Sequence, residues 1–96
     1  MLTIGFNADF ARTQLNEMLP FAELGFTGGY GETRAALRAA VEANDLVTAE
    51  REFTTLLNET IVEGIMEYSM TRDEVIAMLV DACQTDPKLL GYLVNK

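Results

Sequence analysis

The amino-acid sequence predicts an all-α protein, a small bundle of four or five helices around one long central helix. Three observations carry this prediction. Apolar residues recur at three- and four-residue spacing through most of the chain, only two prolines interrupt it, and the stretch from Leu46 to Tyr68 contains no proline at all. With 96 residues, 49% hydrophobic and 23% charged, the composition is globular and sized for one core. Residues 1–96 therefore read as a single helical domain with a glycine-rich connector at 25–31.

The first segment, LTIGF, has strand character but no convincing second strand to pair with, so it reads as extended chain. Asn7 can accept from the exposed amides of a first turn, which starts a helix near residue 8. Leu15, Met18, Leu19 and Ala22 continue it at one-face spacing until Pro20 removes an amide and predicts a break or bend.

The stretch GFTGGYGE comes next, with four glycines in eight positions, and it raises the question of a phosphate-binding loop. A dinucleotide fingerprint counted from Gly29 and Gly31 meets Arg34 where the third glycine belongs, and a P-loop needs a lysine that does not occur before Lys88. Glu32 also places a carboxylate where an anion would sit at the next helix start. The segment reads as a hinge in which Gly28, Gly29 and Gly31 let the chain reverse, with Phe26 and Tyr30 pinning it to the core.

In ETRAALRAAVEA the small side chains of Ala36 and Ala40, with Leu37 and Val41, predict a tightly packed second helix. Asn44 and Asp45 mark the next turn, with Asp45 or Asn44 capping the following helix. On the central helix Leu46, Phe53, Leu57, Ile61, Gly64, Ile65 and Tyr68 form the expected buried stripe. Its ends break the pattern: Glu50 and Thr54 fall inside the stripe, whereas Val62 and Met66, followed by Met70, form a second apolar strip outside it. Thr71 and Glu74 have capping-box spacing, flanked by Met70 and Val75 as a hydrophobic staple, and open a helix through Val75, Ile76, Leu79, Val80 and Cys83 that ends around Gln84. Asp86 and Pro87 then predict a last short helix carrying Leu89, Leu90, Leu93 and Val94.

Catalytic templates find little here. The chain has no histidine, which excludes imidazole-based zinc sites and serine–histidine or cysteine–histidine dyads within it. Ser69 is the only serine, Cys83 lies on an apolar face, and Glu59, Glu63 and Glu67 at one-turn spacing lack the further oxygens that a hard cation needs. No catalytic residue, cofactor site or metal site is expected, and the protein is read as a non-enzyme.

Fifteen acidic residues against seven basic ones give a net charge of −8, which repels nucleic-acid phosphate and anionic membranes. Most of that charge lies between residues 45 and 70. A lone cysteine, no apolar run of membrane-spanning length and no secretory signal pattern at the start point to the cytoplasm. The resulting expectation is a protein-binding module, an adaptor, inhibitor or assembly subunit, that meets its partner through Glu52, Glu59 and Glu63 on an acidic face and Val62, Met66 and Met70 on an apolar one. A homodimer is the simplest cover for the apolar strip. The alternative is an acidic, phage-type anti-defence inhibitor that occupies a basic nucleic-acid-binding site of a host complex.

Overall fold

The computed structural model describes residues 1–13, 31–87 and 90–95. It is a small helical bundle. Strand β1 (Leu2–Ile4) leads into helix α1 (Ala8–Thr13), followed by α2 (Gly31–Glu42), α3 (Leu46–Tyr68) and α4 (Arg72–Thr85), then a 3-10 turn (Leu90–Tyr92) and strand β2 (Leu93–Asn95). The bend expected at Pro20 and most of the connector expected at 25–31, including Phe26 and Tyr30, lie outside the described residues; Gly31 itself is the first residue of α2.

The helix starts obey local chemistry. Asn7 Oδ1 accepts from the Phe10 amide at 3.1 Å, and Asp45 caps α3 by accepting from the Thr48 amide. The capping box of α4 is complete: the Thr71 hydroxyl accepts from the Glu74 amide at 3.1 Å, and the Glu74 carboxylate accepts from the Thr71 amide at 2.9 Å. Between α2 and α3 the chain turns through Asn44 at φ 59°, a left-handed conformation that asparagine tolerates. Its side chain accepts from Arg12 at 2.8 Å, which ties this turn to α1. Helix α3 stops at Ser69, also left-handed, and the Met70 amide returns to the carbonyl of Gly64.

Helix α3 spans about 34 Å at 1.5 Å per residue, close to the 37 Å long dimension of the molecule. Helix α2 lies along it in the most extensive contact between described elements, burying Leu37, Ala40 and Val41, while Ala36 faces solvent. The buried stripe of α3 differs from the expected one. Ala49, Phe53, Leu56, Thr60, Ile61 and Gly64 are buried, and Leu57 is half-buried, whereas Leu46, Ile65 and Tyr68 are exposed. Small residues at 49, 60 and 64 make up half of the buried stripe, and Thr60 satisfies its hydroxyl on the Leu56 carbonyl at 2.9 Å. Glu50 and Thr54 are exposed and do not enter the core.

The two chain ends depart most from expectation. LTI is strand β1; in the segment expected as a last short helix, Leu89 lies outside the described residues and residues 90–95 form a 3-10 turn followed by β2. They pair antiparallel with Leu2 opposite Asn95 and Ile4 opposite Leu93, and Gly5 donates to the Tyr92 carbonyl in the same register. Tyr92, buried to 1% exposure, is the anchor: its ring stacks on Phe53 at 5.2 Å and meets Phe10 edge-on at 5.0 Å. Gly91 lies so close to the Phe10 ring that a Cβ there would overlap it.

Candidate interaction surface

A helix in a small bundle can bury only one side, and the outer side of α3 holds the apolar residues that its core stripe does not use. Val62 is 57% exposed and Met66 75%, as the second strip predicted. Ile65, expected in the core, joins them at 42%. Residues 62, 65 and 66 lie within one turn of each other, so the three side chains form one contiguous patch. Met70 leaves the strip. It comes after the left-handed Ser69 and packs half-buried against the core, as the staple at the start of α4 requires.

Towards the start of the helix the same outward side continues through Asn58, Thr55, Thr54 and Arg51 to Val47, all exposed. A shallow hollow of about 400 Å³ lies among Val47, Glu50, Arg51, Thr54 and Thr55. From Val47 to Met66 this face runs about 28 Å. Its charged members are Arg51 and, at the hollow, Glu50.

The carboxylates lie elsewhere on α3. Glu52, Glu59 and Glu63, at spacings of seven and four, share a flank turned towards α2. All three are half-buried. Thr33 on α2 donates to Glu59 at 2.8 Å, and Glu52 sits 3.7 Å from Arg51. Through Glu59 this acidic flank takes part in seating α2 on α3 as well as in the molecule's field.

A second concavity opens between residues 1–3 and the outer stripe of α4. It has a volume of about 670 Å³. On α4 only Val75, Leu79 and Cys83 are fully buried, so Ile76 and Val80, expected with them on one amphipathic face, turn half out into this groove. The one signal in the sequence is the width of the apolar face, which exceeds what one neighbour covers.

The perturbed ionisable groups are structural. Burial pushes the Cys83 thiol up to about 11, helped by the nearby charge of Asp86, and burial pushes the Tyr92 hydroxyl up to about 12. Asp45 and Glu74 are held below the usual carboxylate range by their cap hydrogen bonds with Thr48 and Thr71. Such shifts mark helix ends and core here, where a reactive site would gather them around a cleft. Among the described residues no cluster of three or more histidine, cysteine, aspartate or glutamate side chains is placed to hold a metal, and no helix is long and apolar enough to cross a membrane. No protein-family model, curated protein or solved structure matches this chain, so its functional reading rests on its own surfaces.

Proposed function

We propose that this chain is a non-enzymatic protein-binding module, an assembly subunit of the cytoplasm, and that it pairs with a second copy of itself through the outward face of α3. The observation that carries this reading is the contiguous exposure of Val62, Ile65 and Met66 on a face whose charged residues, Arg51 and Glu50, lie near its other end and are of opposite sign. In a chain of net charge −8, a second copy can approach with few carboxylates only where the surface lacks them. A twofold axis across α3 brings the apolar patch onto outward residues of its own copy, and methionine adapts to imperfect packing. The net charge of −8 disfavours direct binding to nucleic acid or an anionic membrane.

The acidic-inhibitor reading takes second place. A mimic of nucleic acid needs carboxylates displayed outward, whereas Glu52, Glu59 and Glu63 are half-buried and Glu59 is engaged by Thr33. Sedimentation equilibrium tests the leading reading. The chain should dimerise at micromolar concentration, and a Val62→Asp, Met66→Asp variant should remain folded but monomeric, with association weakened at least about a hundredfold, because four carboxylates would then enter the pair. A chain that stays monomeric at high concentration, with a variant indistinguishable from it, would overturn the pairing.

A further inference from the structure

The groove between β1 and α4 has features that the α3 face lacks, and it shares no residue with that face. Its helical wall is a single stripe, Asp73, Ile76, Ala77, Val80, Asp81 and Gln84, at alternating spacings of three and one. Among the described residues its other wall comes from residues 1–3, with no contribution from β2. The groove thus lies beside the edge of β1 that β2 does not occupy.

That edge carries backbone hydrogen-bonding groups. Gly5 and Tyr92 are a hydrogen-bonded pair, so antiparallel alternation makes Thr3 and Val94 the next such pair. The N–H and C=O groups of Leu2 and Ile4 consequently point to the opposite edge. Among the described residues the sheet has two strands, and none lies along that side. An open strand edge beside an apolar helix stripe is the arrangement that accepts an added strand.

The dimensions and charges specify the occupant. From Asp73 to Gln84 the stripe runs about 16 Å, the reach of about five extended residues. Asp73 and Asp81 stand about 12 Å apart along the helix, close to the separation of side chains i and i+4 on one face of a strand. Between them lie the apolar Ile76 and Val80. The ammonium of Met1 donates to Asn95 on β2 at 3.1 Å. We propose that the groove is a strand-addition site for an extended peptide segment of a partner protein, with basic side chains at i and i+4 and an apolar side chain at i+2, which lengthens the sheet along β1. A second copy of this chain fits less well, since edge-to-edge pairing would bring the Asp73 and Asp81 carboxylates of both copies towards one another.

A bead library of capped, randomised heptapeptides, probed with the fluorescently labelled full chain, tests this directly. Enrichment of Lys or Arg at two positions four apart, with Val, Ile or Leu midway, is expected. The resynthesised consensus peptide should shift the amide signals of residues 2–4 and 76–80. Fluorescence anisotropy should show binding weakened about two- to fivefold by each of Asp73→Asn and Asp81→Asn. Leu2→Pro, which removes an outward N–H from an edge position that tolerates proline, should weaken it about fivefold while the circular dichroism stays unchanged. The proposal is overturned if no peptide is enriched, if acidic peptides are selected as readily, if the aspartate and proline variants bind undiminished, or if Val62→Asp, Met66→Asp abolishes peptide binding and so assigns it to α3.

Discussion

Gly91→Ala offers a test in which two physical effects have opposite signs. Gly91 is not in the left-handed region, so its backbone conformation is open to alanine. On conformational entropy alone the substitution should stabilise the fold by about 0.4–1 kcal/mol. The structure predicts the reverse, because the added Cβ would overlap the ring of Phe10. Phe10 is half-buried and can yield only by moving away from its edge-on contact with Tyr92 at 5.0 Å. Losing that aromatic pair costs about 0.5–1.5 kcal/mol, and overpacking adds about 1–3 kcal/mol. The net expectation is a destabilisation of about 2–3 kcal/mol, a large share of the roughly 5–14 kcal/mol available to a chain of this length. Urea unfolding followed by circular dichroism should show a midpoint lowered by about 1–2 M. In a Phe10→Ala background the same substitution should become neutral or stabilising, a coupling of at least about 2 kcal/mol. A Gly91→Ala midpoint that is unchanged or raised, and equal in both backgrounds, would refute the close approach of the carboxy-terminal turn to α1.

The caps and the core yield further outcomes. Thr71→Ala should cost about 1 kcal/mol by opening the capping box, and a loss below a few tenths in urea melts would count against it. Glu74 has its folded pKa lowered by hydrogen bonding to Thr71, so its stabilising contribution is present above the unfolded value of 4.5 and is lost as pH falls through the folded value. The stability difference between the chain and its Glu74→Gln variant should therefore change only below about pH 4.5, and a difference constant from pH 7 to 3 would contradict it. Cys83, with its thiol pushed up to about 11, should react with a disulfide reagent at pH 8 about a hundredfold more slowly than in the unfolded chain, and comparable rates would show that it is not buried.

What the sequence disclosed depended on how local the signal was. The capping box at Thr71 and Glu74, the cap at Asp45 and the extent of α3 rest on residues close together in the chain, and each stands at its expected position. The strands carry no such signal. Three residues at each end give no periodicity, and their pairing joins positions about ninety apart. The rotation of the α3 stripe has a related cause: Ala49, Thr60 and Gly64 carry little hydrophobic weight in a pattern, yet all three are buried. Of the surface residues, Val62 and Met66 were legible because they violated the stripe, while Ile65 was hidden by fitting it and Met70 by belonging to the staple of α4. The groove required both chain ends to be placed before it existed as a shape.

The β1–β2 pairing also sets an order of events. Bringing Leu2 to Asn95 closes a loop of nearly the whole chain, at an entropic cost of about 4 kcal/mol for ends joined at random. A ladder of three residues per strand, at about 1 kcal/mol for each hydrogen bond, cannot offset that alone. The strands can meet only after α2, α3 and α4 have docked and carried the ends together, so the sheet should form late and open early. Hydrogen exchange at Thr3 and Val94 would then run ahead of exchange at Leu56 and Leu79, and the two ends would separate and rejoin many times within the lifetime of a single folded bundle.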